Sequence, residues 1–181
     1  METRFSEMGR QELLEFYAQF FLNLPYCIEE LMCLVKGTSG YDRWSADESP
    51  RSLEMLGAWF AERCRAGARF TDDVQGRHAL DVSKFDDGRL LTREIRTLSL
   101  YVGMYYGEVA VKNDVNLRWE QRFGSKKLAD YGQPLVMGGT AVPLNPVRVA
   151  HSMACGFING TKTGCDLLGA YEYWASLAQK E

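Results

Sequence analysis

The spacing of apolar residues constrains the fold of this chain more than any other feature of its sequence. Through most of the 181 residues, apolar side chains recur every three or four positions, which is the period of an amphipathic helix. Between Leu117 and Phe123 the period changes to strict alternation, which is typical of a half-buried strand. The sequence therefore predicts helices on both sides of a small sheet.

Six helices are predicted from this spacing and from residues that favour helix ends. The first two are separated at Leu24-Pro25, because proline disfavours helical geometry at the residue before it. Ser49-Pro50 and Asn145-Pro146 each combine an N-cap residue with proline at the first helical position, which predicts a helix start. The predicted helices cover residues 10–23, 25–36, 50–67, 90–112, 146–160 and 166–179. A short strand is expected near Ala79 to Val82.

Strands are predicted at Leu117–Phe123, at Pro134–Met137 and around Ala141 and Val142. Gly138-Gly139 is typical of a tight hairpin turn between the last two. Parallel strand–helix–strand alternation is absent, so the class is α+β. We expect a mostly helical single domain that takes in the whole chain. Its small antiparallel sheet of two or three strands lies between helices four and five.

Two glycines, Gly103 and Gly107, lie four residues apart in the longest predicted helix. Each costs about 1 kcal/mol in a helix interior compared with alanine. Close approach of another backbone is the usual reason for such a pair. The sequence therefore predicts that Gly103 and Gly107 pack against another helix or against the sheet.

Composition and charge exclude several classes of protein. Hydrophobic residues make up 46% of the chain and charged residues 25%, which argues against disorder. The net charge of −3 argues against a basic surface for nucleic acid or for an anionic membrane. The N-terminus lacks the pattern of a signal peptide, and no apolar run is long enough to span a membrane. A cytoplasmic location is therefore expected.

The five cysteines are Cys27, Cys33, Cys64, Cys155 and Cys165. Their number is odd, their spacing is irregular, and no two form a CxxC pair. We therefore expect reduced thiols, without a disulfide framework or a structural zinc ion.

Two segments resemble ligand-binding loops but lack the spacing or the residues that such loops need. Gly156–Thr163 has two glycines and a lysine, but a phosphate loop needs four residues between the glycines and lysine directly after the second. Ser83–Glu94 has the length of a calcium loop, yet its third position is Phe85, which cannot ligate Ca²⁺. The sequence predicts no cofactor and no metal ion.

His151 and Cys155 are four residues apart on a predicted helix and could form a nucleophilic dyad. Helical geometry rarely aims both groups of such a pair at one substrate atom. We therefore expect a partly buried thiol beside a histidine on the helix surface.

Candidate contact residues for a partner combine charge with exposed aromatic rings. They are Arg89, Arg93, Arg96, Tyr105, Tyr106, Glu108 and His151. The arginines could receive a phosphate or an acidic surface, although a solvated face is the commoner outcome. Glu108 could be a buried acid with a raised pKa. A surface pair of Glu108 with Lys112 is the favoured prediction.

The C-terminal half resembles a group of small uncharacterised bacterial proteins. The residues that carry the resemblance are Tyr101–Val109, Leu117-Arg118-Trp119, Pro134-Leu135-Val136 and Val142–Pro146, followed by a helix with His151 and Gly156. In that group a GxYxGEV-like helix precedes a tryptophan-bearing strand, a short second strand and a helix that starts at Asn-Pro. The resemblance implies the same order of elements and a bacterial origin. It implies no catalytic residues.

Three hypotheses for function follow. The first is a non-enzymatic soluble interaction protein, such as a bacterial immunity-type protein that neutralises a partner toxin. The second is a small enzyme or small-ligand-binding protein with a pocket beside Glu108. The third is a structural subunit of a larger assembly. The acidic balance, the surplus of aromatic residues and the lack of a catalytic constellation favour the first, with another protein as partner and the oligomeric state left open.

Overall fold

The computed structural model describes residues 4–67, 91–138 and 140–178, which form a mostly helical α+β fold with a small antiparallel sheet. The predicted fold class is confirmed. In chain order the elements are a 3₁₀ turn at Phe5–Glu7, α1 (Arg10–Lys36), α2 (Ser52–Arg65), α3 (Arg93–Asn113), β1 (Arg118–Gln121), β2 (Pro134–Gly138), β3 (Thr140–Leu144), α4 (Pro146–Ile158) and α5 (Cys165–Ala178). The strand expected near residues 79–82 lies outside the described residues.

The first two predicted helices form one continuous helix, α1, with Pro25 in its interior. The predicted break at Leu24-Pro25 is therefore wrong, and the sheet follows the third observed helix.

Pro25 cannot donate a hydrogen bond to the carbonyl of Phe21, which costs about 3 kcal/mol in a helix interior. Pro25 lies on the exposed side of α1, where water can reach that carbonyl. Burial of one uninterrupted apolar stripe on the opposite side offsets the cost. The buried apolar residues of α1 are Leu13, Phe16, Phe20, Leu24, Cys27, Leu31 and Val35.

Two helix starts were predicted from capping residues, and one of them is confirmed as predicted. In α4 the Asn145 side chain accepts a hydrogen bond from the N–H of Arg148 at 3.0 Å, with Pro146 at the first helical position. Helix α2 begins at Ser52, because Ser49 and Ser52 first form a separate turn in which Ser49 Oγ accepts from Ser52 N–H at 3.2 Å. Helix α3 begins at Arg93 rather than at residue 90.

The sheet has the order β1-β2-β3, and both pairs of strands are antiparallel. Trp119 of β1 lies opposite Val136 of β2. The second pair has an irregular register between Val136 and Gly138, where Gly138 pairs with Thr140. A φ of 145° at Gly138 favours glycine and fits the predicted hairpin turn, whose second residue is outside the described residues.

Helix α3 lies at the centre of the hydrophobic core. Its buried residues point in all directions, as expected for a helix that other elements surround. They are Ile95, Leu98, Ser99, Leu100, Tyr101, Val102, Gly103, Met104, Tyr105, Tyr106, Gly107, Val109 and Ala110. Helix α1, helix α4 and the sheet all contact α3, and α2 and α5 complete the core from the side of α4.

The glycine pair of α3 lies at two close contacts, which confirms the prediction made for it. A Cβ atom at Gly103 would lie 2.7 Å from the Cα of Val147 in α4. A Cβ atom at Gly107 would overlap the ring of Trp119 from β1 and would lie 3.1 Å from Cγ of Pro146. The two glycines therefore let α4 and the tryptophan of β1 rest directly on the backbone of α3.

We expect Gly107→Ala to lower the free energy of unfolding by about 1–3 kcal/mol, because the new methyl group displaces the Trp119 ring. Gly169→Ala is the matched control. Gly169 lies inside α5 with no atom within 4 Å of a built Cβ. The control should gain about 0.5–1 kcal/mol from the better helix propensity of alanine. Urea unfolding followed by circular dichroism measures both changes. Equal shifts in the two variants would contradict the close contact.

Candidate functional site

Glu108 is held at a half-buried position by the packing of the glycine pair. Because Gly107 has no side chain, the Trp119 ring lies against α3 and its indole N–H reaches the next residue along the helix. Trp119 Nε1 donates a hydrogen bond to Glu108 Oε1 at 2.7 Å. The favoured prediction of a surface pair between Glu108 and Lys112 is therefore wrong. Lys112 instead forms an ion pair with Glu48 at 3.5 Å.

Glu48 sits beside Glu108 in an unusual backbone conformation. Among the described residues it alone, apart from glycines, has a positive φ, at 60°. Such a conformation costs of order 1 kcal/mol and persists where surrounding contacts hold it. Its N–H donates to the Tyr105 hydroxyl at 3.0 Å, and its carbonyl accepts from Asn113 Nδ2 at 2.7 Å. Three contacts from α3 thus hold this one loop residue.

We call Glu48, Glu108, Lys112 and Trp119 the Glu108 corner. Burial raises the pKa of Glu108, and the neighbouring Glu48 carboxylate raises it further. The hydrogen bond from Trp119 and the charge of Lys112 act in the opposite direction. The net pKa of Glu108 lies above its ordinary value, so the corner can take up a proton or accept a cationic group.

Sequence reasoning found Glu108 but missed Glu48. Asp47-Glu48-Ser49 does contain a turn signal, since Asp47 Oδ1 accepts from the N–H of Ser49 at 2.9 Å. Nothing in the sequence Asp47-Glu48-Ser49 indicates that this turn packs against α3, which lies far along the chain. The docking depends on the buried Tyr105, whose hydroxyl also lies 2.7 Å from Ser52 Oγ.

Three of the predicted contact residues are buried. Tyr105, Tyr106 and His151 are 0%, 1% and 3% exposed. The ring of Tyr106 packs edge-on against Tyr171 with centroids 5.9 Å apart, and burial raises the pKa of its hydroxyl. These side chains are out of reach of a partner in this structure. The expectation that His151 lies on a helix surface is wrong.

Cys155 is half-buried, as expected, and its thiol interacts electrostatically with that of Cys64 in α2. Burial raises the pKa of Cys64 to about 12, and Cys155 adds to the rise. His151 is buried, so a substrate does not reach the imidazole of the predicted dyad in this structure.

Two of the three predicted arginines lie in the described residues, both near the start of α3. Arg93 is exposed in the first turn of α3, and Arg96 is half-buried one turn later. Arg89 lies outside the described residues. No three His, Cys, Asp or Glu side chains of the described chain converge as ligands for a metal ion.

The outer face of α1 is an exposed surface that the sequence did not single out. It faces away from the core stripe, and nothing within the described residues covers it. Its exposed residues are Gln11, Glu15, Ala18, Leu22, Pro25, Tyr26, Glu29, Cys33 and Lys36. Leu22 and Tyr26 are one turn apart and are 62% and 66% exposed. The helix was split at Leu24-Pro25 in the prediction, which hid the continuity of this face.

Comparison with known proteins identifies no relative. No protein-family model, no curated protein and no solved structure matches the chain. The resemblance to the group of small bacterial proteins therefore stays a prediction. None of the helices in the described residues has the length and apolar character that crossing a membrane requires.

We expect the stability of the protein to depend on the protonation of Glu108. The pKa of Glu108 is raised in the folded state, so the folded chain binds more protons than the unfolded chain between the two pKa values. The contribution of Glu108 to stability therefore falls as pH rises through that window. Glu108→Gln removes this dependence and keeps an acceptor for Trp119.

The measurement is urea unfolding at a series of pH values from about 4 to about 7. The difference in free energy of unfolding, Glu108→Gln minus wild type, should rise with pH. Glu172→Gln, at an exposed position of α5, is the control and should leave the pH profile unchanged. If the difference in free energy of unfolding between Glu108→Gln and wild type does not change with pH, the Glu108 corner does not raise the pKa of Glu108.

Thiol labelling should separate the five cysteines by exposure. Cys33 and Cys165 are exposed and should react first in the native protein. Cys27 and Cys64 should react last, since burial raises the pKa of each thiol to about 12. Five thiols should react after denaturation without reductant. A lower number in freshly prepared protein would contradict the absence of disulfides.

Proposed function

We propose that this protein is a non-enzymatic interaction protein that binds another protein through the outer face of α1. The observation that carries the proposal is the pair Leu22 and Tyr26, both largely exposed on one helix face. Ala18 and Pro25 extend the apolar area on either side of the pair. Exposed apolar area of this kind, with a polar rim, marks protein–protein contact sites.

Tyrosine and leucine differ in what they supply at such a face. Tyrosine is enriched among residues that dominate binding energy, because its ring buries a large area and its hydroxyl keeps a polar contact. Leu22 supplies apolar area next to it. Glu15 and Glu29 form a rim that excludes non-specific apolar contacts. The face thus combines an apolar centre with charged ends.

One concrete form of the proposal is a bacterial immunity-type protein that neutralises a toxin in the cytoplasm. The acidic net charge of −3 supports this form, since it favours encounter with a basic partner. A structural subunit of a larger assembly would use the same face. A toxin gene next to the gene for this protein would indicate the immunity-type form. A large native complex would indicate the structural subunit.

A second candidate function is binding of a small cationic ligand at the Glu108 corner. The strained backbone of Glu48 and the proximity of its carboxylate to that of Glu108 favour it. It has less support than the first, because the Glu108 carboxylate already accepts the indole hydrogen bond. A small molecule that copurifies with wild type and is absent from Glu108→Gln would favour it.

We expect single substitutions on the outer face of α1 to release the partner. Tagged wild type, Leu22→Asp and Tyr26→Ser are expressed in the native host, and the captured proteins are quantified by mass spectrometry. Each variant should lower recovery of a stoichiometric partner at least about tenfold, which corresponds to about 1.4 kcal/mol. Both positions are exposed, so the variants should keep the melting temperature of the wild type.

Tyr173→Ser is the matched control, since Tyr173 is equally exposed, at 68%, but lies on α5. It should retain the partner. If all four proteins recover the same set of proteins in the same amounts, the outer face of α1 is not the binding surface and the proposal fails.

A further inference from the structure

We propose that the outer face of α1 binds a basic amphipathic helix of another protein, which packs lengthwise along α1. This inference rests on the proposed function, because it names the chemical class of partner that the same face accepts. The partner helix places apolar side chains over Leu22 and Tyr26 and basic side chains over Glu15 and Glu29. Its class follows from the arrangement of apolar and charged residues along α1.

The apolar centre of the face lies midway between two exposed carboxylates. Glu15, Leu22 and Glu29 follow one another at intervals of seven residues, so they lie on nearly one line, with steps of about 10 Å along the helix. Tyr26 is one turn beyond Leu22 and is also largely exposed, which widens the apolar centre. An apolar contact at the centre therefore has an acidic group at each end.

The carboxylates of this face have no basic partner within the described residues. Glu15 accepts a hydrogen bond from the neutral amide of Gln11 at 2.9 Å. Glu30, at the edge of the face, accepts one from the Tyr101 hydroxyl at 2.8 Å. None of the ion pairs between described residues involves Glu15, Glu29 or Glu30.

The charge around the apolar centre is therefore negative. Lys36 is exposed at the C-terminal end of α1, about 10 Å along the helix from Glu29, and in the described part of the chain it forms no ion pair with Glu29. A partner with lysine or arginine on both sides of its apolar residues gains attraction at both ends of the contact.

The same charge pattern disfavours a second copy of this chain as the occupant. In a pair of copies aligned at Leu22, Glu15 faces Glu29 when the helices are antiparallel and faces another Glu15 when they are parallel. Like charges then meet on both sides of the apolar centre. Nucleic acid and anionic lipid are disfavoured for the same reason, since both carry negative charge.

The length of the line favours a helix as the occupant. Glu15 and Glu29 are about 21 Å apart along α1, which a helix packed alongside it covers with about four turns. Such a helix presents apolar residues three or four positions apart at its centre and basic residues about two turns to either side. Because Glu15 and Glu29 are equally far from Leu22, the charge pattern accepts the partner helix in either direction.

The first test uses two synthetic helical peptides of about 20 residues with the purified full chain. The peptides share one stripe of leucines and differ only in the residues beside it, which are lysines in one peptide and glutamates in the other. In titration calorimetry the wild type should bind the lysine peptide and not the glutamate peptide. Raising NaCl from about 0.05 M to about 0.5 M should weaken that binding at least about threefold. No binding of the lysine peptide, or equal binding of both peptides, would overturn the inference.

Charge variants locate the binding of the lysine peptide. Glu15→Lys with Glu29→Lys should raise its Kd at least about tenfold, and Glu15→Gln with Glu29→Gln about threefold. The control is Glu54→Lys with Glu172→Lys, which changes the net charge by the same amount at exposed positions of α2 and α5. This control should keep the Kd within about twofold of the wild type. An equal loss in the two lysine variants would trace the binding to net charge and overturn the inference.

Capture of the native partner separates this inference from the proposed function. Loss of the partner in Leu22→Asp, with full recovery in Glu15→Lys with Glu29→Lys, overturns the basic helix and leaves the proposed function in place. Full recovery in both variants overturns both proposals. Loss in both variants, together with displacement of the partner by the lysine peptide, supports the basic helix.

Discussion

The close contacts at Gly103 and Gly107 are the constraint on which the rest of this structure depends. They bring Val147 of α4 and Trp119 of β1 onto the backbone of α3 without intervening side chains. Dense contact of this kind gains dispersion energy, which acts against the cost of two glycines in a helix. It also determines where Glu108 lies, because the indole that covers Gly107 donates to the next residue.

Tyrosines connect the apolar interior of α3 with polar groups at its edge. Tyr105 keeps its ring buried while its hydroxyl contacts Ser52 and the N–H of Glu48. Tyr101 is buried in the same way and donates to Glu30 of α1 at 2.8 Å. Burial and that carboxylate together raise the pKa of Tyr101. A buried hydroxyl with fixed hydrogen-bond partners specifies register, which apolar contacts alone do not do.

Local patterns predicted the elements well, whereas contacts between distant segments could not be read from the sequence. The period change at Leu117 located β1, and Asn145-Pro146 located α4, because both signals lie within a few residues of the element. Pro25 was misleading, since its local preference was outweighed by burial of the stripe on the far side of α1. The docking of Glu48 on α3 depends on Tyr105, which lies 57 positions away, and no spacing rule encodes it.

The order of elements along the chain has a consequence for biosynthesis. Helix α1 is made first, but the partners of its apolar stripe come much later. Phe20 meets Trp119 with ring centroids 5.4 Å apart, and the Leu13 carbonyl accepts from Gln121 at 2.7 Å. At roughly 5–20 residues per second, several seconds pass between synthesis of the stripe and synthesis of β1. During that time the apolar stripe of α1 lacks the contacts that β1 supplies in the folded chain.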